Sequence, residues 1–342
     1  MIDKSLPSWL IYCRPGFERD CAEETQAKVI EGDENSGFLL LQGKAKLAYK
    51  QLTFVRQLLT LHAEVNDLPE RDRLTPLLSA IPAAPEKFGA LYLEVPDTND
   101  GKTLSGFTKR FQPLLEEVLR ETSRLVDDPS LPRLHIFFPD EQRALIATSN
   151  PDNSNSALNG IHRVSMVSDA PSRSYLKLAE AFEVFLDKKE QSLWLKPHMT
   201  AVDLGAAPGG WTWQLVQRGL KVTAVDNGPL KGAAAAHPNI KHLRQDGFKF
   251  RPQKMVDWLV CDMVEQPQRV ATLVTEWFIG GHTMHAIFNL KLPMKKRVDA
   301  LQVALGSIRT ALNARGIRYR LEAKQLYHDR EEVTVFLTRA KK

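Results

Sequence analysis

Asp203-Leu204-Gly205-Ala206-Ala207-Pro208-Gly209-Gly210-Trp211 is the stretch on which the reading of this chain turns. A short β-prone run, TAVDL, leads into it, and an amphipathic helix, GWTWQLVQRG, leaves it. Glycines between a strand and a helix let the backbone turn sharply and approach a ligand, while the helix start offers unpaired N–H groups. A second strand, KVTAVDN, ends in Asp226, placed to accept hydrogen bonds from the ribose of an adenosine cofactor. A dinucleotide would require G-x-G-x-x-G facing a pyrophosphate. Gly205 and Gly209 lack that spacing, and Pro208 sits inside the loop. A purely structural turn would explain the glycines but not Pro-Gly-Gly together with Asp226. Asp246 in RQDGF and Asp262 in VCDM end two later strands; either alone would pass for a surface turn residue.

Outward from this loop, helices and strands alternate from YLKLAEAFEVFL to LYHDREEVTVFLTRA. That pattern predicts an α/β fold: a Rossmann-like, doubly wound, mostly parallel sheet whose last two strands pair antiparallel at one edge. In such a sheet the ligand lies beyond the carboxyl ends of the strands. Upstream, the run from Ser149 to Ser174 is rich in Ser, Asn, Asp and Pro and reads as a linker. The expected division is residues 1–52, 53–150, a linker over 151–172, and a catalytic domain over 173–342. The front half reads as small α+β units: strand WLIYCRP, helix FERDCAEETQAKV, strand GFLLLQG, strand ALYLEVPDT, helix LSGFTKRFQPLLEEVLRETSRL, and a hairpin over LPRLHIFFPDEQRALIAT. The stretch KLAYKQLTFVRQLLTLHAEV suits a strand or a helix equally. No catalytic constellation lies in this half, which favours a binding or scaffolding module.

The 342 residues carry three cysteines, Cys13, Cys21 and Cys261, without a pairing pattern or a CxxC. That favours a reducing compartment and disfavours a disulfide framework or zinc ribbon. The first 17 residues lack the apolar core of a secretory signal, and no apolar run reaches the ~18 residues of a membrane span, so the cytoplasm is expected. A monomer is expected too, since no heptad pattern is left unexplained. The net charge of +5 hides an asymmetry. Residues 1–160 hold 18 Lys/Arg against 24 Asp/Glu, and residues 161–342 hold 28 against 17. A basic half attracts polyanions and gains affinity by counterion release, although a solvated basic surface would look the same.

The Asp-x-Gly-x-x-Pro-Gly-Gly loop resembles the S-adenosylmethionine site of ribose methyltransferases. Four further residues extend that likeness: Lys177 in SRSYLKL, Asp262 in CDM, Lys291 in FNLKLP and Glu332 in REEVTV. Their order resembles the Lys-Asp-Lys-Glu tetrad of RNA ribose 2′-O-methyltransferases. With DAPSRS, APGGW, VDNGP, RQDGFKFRP, FNLKLPMKKR and LYHDREEVTV, the chain closely resembles the ribosomal RNA large subunit methyltransferase M family, densely from Asp169 to Val335 and more loosely before it. The resemblance implies a ferredoxin-like segment over 1–52, a THUMP-like RNA-binding domain over 53–150, and 2′-O-methylation of one cytidine in 23S rRNA. It implies cofactor contacts from Ser174, Gly205, Ala207, Pro208, Gly209, Gly210, Asp226, Asp246 and Asp262. It makes Lys291 the proton acceptor, with Lys177, Asp262 and Glu332 completing the catalytic set and no metal. Ala207 stands where many relatives carry Cys, one small residue for another.

The chemistry supports the tetrad independently. A ribose hydroxyl is a poor nucleophile until its proton is leaving, whereas a sulfonium methyl needs no activation. In-line positioning can supply up to roughly 7–11 kcal/mol of barrier reduction, and a general base about 10²–10⁴-fold. A lysine serves as base once its pKa falls, which a second cation or desolvation favours and nearby carboxylates oppose. Taken singly, Lys177 would be a solvated helix residue, Lys291 a surface cation, and Glu332 a partner for Arg330 or Lys295. Lys295-Lys296-Arg297 reads either as the start of a phosphate-contacting helix face or as a solvated run, with contact slightly favoured. Trp211 and Trp213 read as packing residues, and His282 and His285 as ordinary histidines without a third metal ligand. Methylation of tRNA ribose or of a base by the same fold is the enzymatic rival, and a non-catalytic RNA-binding protein is the other. Base-amine methyltransferases carry Asn/Asp-Pro-Pro-aromatic where this chain reads Cys261-Asp262-Met263-Val264.

Overall fold

A computed structural model describes residues 7–43 and 46–340 and divides the chain into two compact units, 1–161 and 162–342. The first six residues of the N-terminal stretch read above for a signal lie outside the described residues.

In the first unit the elements run β1 (Ser8–Tyr12), α1 (Glu18–Thr25), β2 (Lys28–Glu31), β3 (Phe38–Gln42), β4 (Gln57–Val65), α2 (Leu74–Ala80), β5 (Ala90–Glu94), α3 (Asn99–Glu121), β6 (Arg133–Phe137) and β7 (Ala144–Ser149). They form one seven-stranded sheet in the order β2-β3-β1-β4-β7-β6-β5, in which only β5 and β6 run parallel. The helix expected over FERDCAEETQAKV stops at Thr25, because Gln26 turns into the left-handed region and Lys28 starts β2. The undecided stretch after Lys46 resolves as β4, where Leu59 is fully buried between β1 and β7. Residues 52–53 lie in the loop before β4, which α1 holds in place: the Glu24 carboxylate accepts from the main-chain N–H groups of Thr53, Phe54 and Val55.

The first third of the expected linker is packed structure. Asn155 is buried, its N–H donates to Gln57, and its amide donates to the Gly160 carbonyl. Asn and Ser read as loop formers because their side chains satisfy nearby backbone, and here that same property fixes the segment in place.

The second unit contains α4 (Tyr175–Phe185), α5 (Lys188–Trp194), β8 (Thr200–Leu204), α6 (Gly210–Val216), β9 (Lys221–Val225), β10 (Ile240–Leu243), β11 (Val256–Cys261), α7 (Pro267–Ile279), β12 (Thr283–Lys291), α8 (Arg297–Ala314), β13 (Tyr319–Lys324) and β14 (Glu332–Arg339). The sheet order is β10-β9-β8-β11-β12-β14-β13, with the first five strands parallel and β14 antiparallel to both neighbours. Near-continuous apolar runs such as TAVDL and DWLVC fit strands covered on both faces by helices. Val202, Leu204, Leu259, Val260, Ile287 and Phe288 are each at most 1% exposed. Trp211 and Trp213 are buried in the core as expected. His285 is buried between the rings of Trp194 and Trp258, with its Nδ1 against Thr338 Oγ1, and burial pushes its imidazole down to about 4.

The order in which strands are added reverses at β8. The chain steps from β8 out through β9 and β10, then returns to β11 on the other side. A crevice must open between the carboxyl ends of β8 and β11, since the following loops depart in opposite directions.

Candidate active site

Five strand ends face that crevice in spatial order. Asp246 follows β10, Asp226 follows β9, the glycine loop follows β8, Asp262 follows β11 and Lys291 closes β12. The loop's geometry explains its composition. Gly205 and Gly209 have φ of +75° and +111°, a region costly for residues with a Cβ. A Cβ on Gly210 would lie 2.2 Å from Ser174 Oγ and 2.5 Å from Ser172 Oγ, so the loop backbone touches the segment that carries Ser174. Asp203 faces the interior rather than the crevice. Thr212 Oγ1 donates to it at 2.6 Å, and burial pushes its carboxyl up to about 7 despite that bond. It ties β8 to the first turn of α6.

Asp226 accepts from the Ala207 N–H at 3.0 Å with one oxygen and from the Gly228 N–H at 2.7 Å with the other. One bond to each oxygen leaves lone pairs for a diol. Asp246 is exposed, with one oxygen accepting from the Phe248 N–H. The donor set suits S-adenosylmethionine: three carboxylates for ribose hydroxyls, an adenine amine and positive charge, beside a wall of bare backbone at Gly205 and Gly209.

Beside the crevice, the four expected catalytic residues meet. Glu332 takes Lys177 on Oε1 and Lys291 on Oε2. Asp262 takes Lys291 on Oδ1 at 2.6 Å and lies 3.5 Å from Lys177 through Oδ2. Two cations and two carboxylates thus alternate around a square, and each carboxylate reaches both ammonium groups. Lys291 and Glu332 are direct partners across β12 and β14, so the antiparallel register itself builds one side of the square. Burial alone would lower the Lys291 pKa, but the charges and hydrogen bonds of Asp262 and Glu332 outweigh it and hold the ammonium above its ordinary value. Glu332 therefore has partners within the site, not the Arg330 or Lys295 considered from sequence.

A supporting layer escaped the sequence reading. Asn289, fully buried, donates through Nδ2 to Asp262 Oδ1 at 2.9 Å and accepts from Thr334 Oγ1 at 2.8 Å. Thr334 also lies 3.0 Å from Asp329 Oδ2, and the Leu326 N–H donates to that same oxygen. Burial and the neighbouring Glu332 charge push the Asp329 carboxyl well up. Glu180 on α4 accepts from the N–H groups of Tyr327 and His328, anchoring the loop before β14. The available signal was spacing: Asn289 precedes Lys291 by two and Thr334 follows Glu332 by two, so each pair shares a strand face. Cys261, beside Asp262, is fully buried, and burial pushes its thiol up to about 12, which leaves it unreactive. Of the basic run, Arg297 pairs with Glu331, while Lys295 and Lys296 are exposed beside Lys291.

Comparison with known proteins identifies relatives over the full length. Residues 6–59 match a family model described as the RlmM ferredoxin-like domain, residues 72–150 one described as ribosomal RNA large subunit methyltransferase M, N-terminal, and residues 170–306 an FtsJ-like methyltransferase. A protein of Laribacter hongkongensis is 53% identical, covering 97% of this chain and 96% of its own length. Others from Thauera aminoaromatica and Methylococcus capsulatus are 45% and 46% identical, each over 96% of this chain and 94% and 97% of their own length. All three bear the name ribosomal RNA large subunit methyltransferase M. Glu332 lies beyond the FtsJ-like match, and its place in the site rests on the geometry of β14.

Proposed function

The chain belongs to the ribosomal RNA large subunit methyltransferase M family, and from that premise we propose how its site works: 2′-O-methylation of one cytidine in 23S rRNA, with Lys291 as proton acceptor. The protein is an S-adenosylmethionine-dependent rRNA methyltransferase. The cofactor supplies a methyl group on a sulfonium, which needs no further activation. The protein's task is to align a ribose hydroxyl and remove its proton.

The observation that carries the reading is the placement of Lys291 Nζ. Of its four tetrahedral positions, one is Cε and two point to Asp262 and Glu332. The fourth holds a proton in the ammonium and the lone pair in the neutral amine. The two carboxylates therefore aim that lone pair, and a hydroxyl seated there would lose its proton to Nζ as its oxygen bonds the methyl carbon and that carbon's bond to sulfur breaks, leaving a neutral thioether. Lys177 balances the charge of Glu332 and keeps it in position. Because Asp262 and Glu332 hold the ammonium above its ordinary pKa, only a small fraction of the resting enzyme carries the neutral amine. The rate should rise about ten-fold per pH unit through the neutral range, the behaviour of a base working below its pKa.

The front unit, with its ferredoxin-like and THUMP-like parts, serves RNA capture in this reading. Among the described residues no helix is long and apolar enough to cross a membrane. We place the enzyme in the cytoplasm, where 23S rRNA is assembled, and as a monomer, which light scattering would test. The deciding experiment incubates the protein with labelled S-adenosylmethionine and unmodified 23S rRNA, with tRNA in parallel, and identifies the labelled nucleoside by mass spectrometry. The expected product is 2′-O-methylcytidine from 23S rRNA alone. Label in tRNA or on a base would overturn the assignment.

A further inference from the structure

Lys291 borders a second space besides the cofactor crevice. A cavity of about 750 Å³ opens beside it, walled by Val264 and Pro267 after β11, Leu292 and Pro293 after β12, and Ala300 and Val303 on α8. Ligand pockets commonly measure ~300–1,000 Å³, so the space suits a small planar group. Its walls are aliphatic, and two of them are strongly exposed: Val264 at 89% and Val303 at 64%. Isolated exposed valines mean little, but two lining one cavity against the proposed base form a surface that is better covered. Besides Lys291, four charged side chains line it, and of these Glu265 is held by Arg269 and the Gln266 N–H. Lys295 and Lys296 stand on one side, exposed. Asp299, in the first turn of α8, lines the wall with Ala300 and is exposed.

We propose that this cavity receives the base of the nucleotide whose ribose is methylated, with Asp299 accepting from the base's exocyclic amine and Lys295 and Lys296 meeting flanking phosphates. The inference rests on the ribose-methylation reading above. A ribose drawn down to Lys291, which is only partly exposed, is reached more easily when its nucleotide is turned out of the stack, and a turned-out base then needs a surface nearby to rest on. The cavity lined by Lys291 itself is within one sugar's reach of that point. Aliphatic walls accept either face of a flat base without discriminating among bases, which assigns discrimination to the rim. Asp299 is an acceptor only, matching the cytosine amine and opposing the carbonyl that uracil presents there. The same carboxylate repels phosphate, which leaves the backbone to the lysine side.

The test uses the full chain and a 23S rRNA fragment in two forms, one intact and one with the target base removed but its 2′-hydroxyl kept. Wild-type enzyme should lose about 10–100-fold in kcat/KM on the baseless RNA, the scale of a lost orienting contact. Val303→Trp, a neutral change at an exposed site, should lose roughly ten-fold on intact RNA and little more on baseless RNA, since the two changes remove the same interaction. Asp299→Asn should narrow the preference for cytidine over uridine at the target about ten-fold or more. Unchanged melting curves and cofactor affinity would show that both variants fold. Equal rates on the two RNAs, or a Val303→Trp loss of the same size on both, would overturn the pocket; the second result would mark the patch as a general RNA or protein contact. If intact RNA yields 2′-O-methylcytidine while these outcomes fail, only the pocket falls. If intact RNA yields none, the reading beneath it falls as well.

Discussion

Each unit encloses a cluster of ionisable side chains between strands, and the two clusters differ in closure. In the first unit, Glu94 Oε2 accepts from Tyr12 Oη at 2.6 Å and from His135 Nδ1 at 2.8 Å, and Oε1 accepts from the Asn159 N–H at 2.6 Å. His135 Nε2 meets Ser149 Oγ at 2.9 Å, and the side chains of Glu94 and His135 are 0% exposed. Burial, with Glu94 beside it, holds the Tyr12 hydroxyl well above its ordinary pKa. Both oxygens of Glu94 and both ring nitrogens of His135 are paired, and neither side chain meets solvent. In the second unit the four tetrad side chains keep between 8% and 23% exposure, and one position of Lys291 stays open. Shifted pKa values occur in both places. What separates the closed cluster from the tetrad proposed as catalytic is the tetrad's partial exposure at the strand ends.

That contrast can be broken by experiment, beginning with the largest effect. Lys291→Ala should cut methyl transfer about 10²–10⁴-fold, with cofactor affinity unchanged by calorimetry. Retained turnover would remove the distinction altogether. Glu94→Ala should behave in the opposite way. It leaves His135 and Tyr12 without their buried partner and should lower unfolding stability by about 3–5 kcal/mol in denaturant titrations. Turnover per folded molecule should survive, because the cluster touches no reacting group.

A further enclosed carboxylate lies within the second unit itself. Asp203 is closed in like Glu94, yet it sits beneath the cofactor loop. Its folded-state carboxyl is raised to about 7, so the folded protein holds a proton that the unfolded chain has already lost above the ordinary aspartate range. Stability should therefore fall as pH rises from about 4 to 7, by up to about 1.4 kcal/mol per pH unit, and Asp203→Asn should flatten that slope in melting curves. A fall toward low pH across this window would contradict the assignment. The smallest effect belongs to an exposed pair, Arg120 with Asp127 at 3.0 Å. Asp127→Asn should leave the melting curve where it is, because solvent screens such pairs.

The parallel sheet was legible because its strands are apolar runs closed by Gly, Pro and Asp, and because the functional residues follow them directly. Asp226, Asp246, Asp262 and Lys291 stand where a strand-end rule puts them. The residues that set the tetrad's geometry were not legible. Asn289 and Thr334 are cross-strand partners, and the register that pairs them also pairs Lys291 with Glu332 across 41 positions of sequence. Nothing local encodes that register. The buried carboxylate of Glu180 and the half-buried one of Glu24 were hidden for a related reason. An acid on a helix looks solvated until the fold brings it the N–H groups of a distant loop.

The strand order of the first unit has a consequence for how the chain is made. Synthesis delivers β1 to β4 first, and β4 then waits with one edge bare, because its partner on that side is β7. The strands made in between cannot relieve it: β5 pairs only with β6, and β6 reaches the rest of the sheet only through β7. The last strand translated is thus the middle board of the floor, joining two halves that have no other shared edge in the sheet. Until residues 144–149 have left the ribosome, each half presents an open strand to any other chain nearby. The sheet of this unit is continuous only once its final strand is in place.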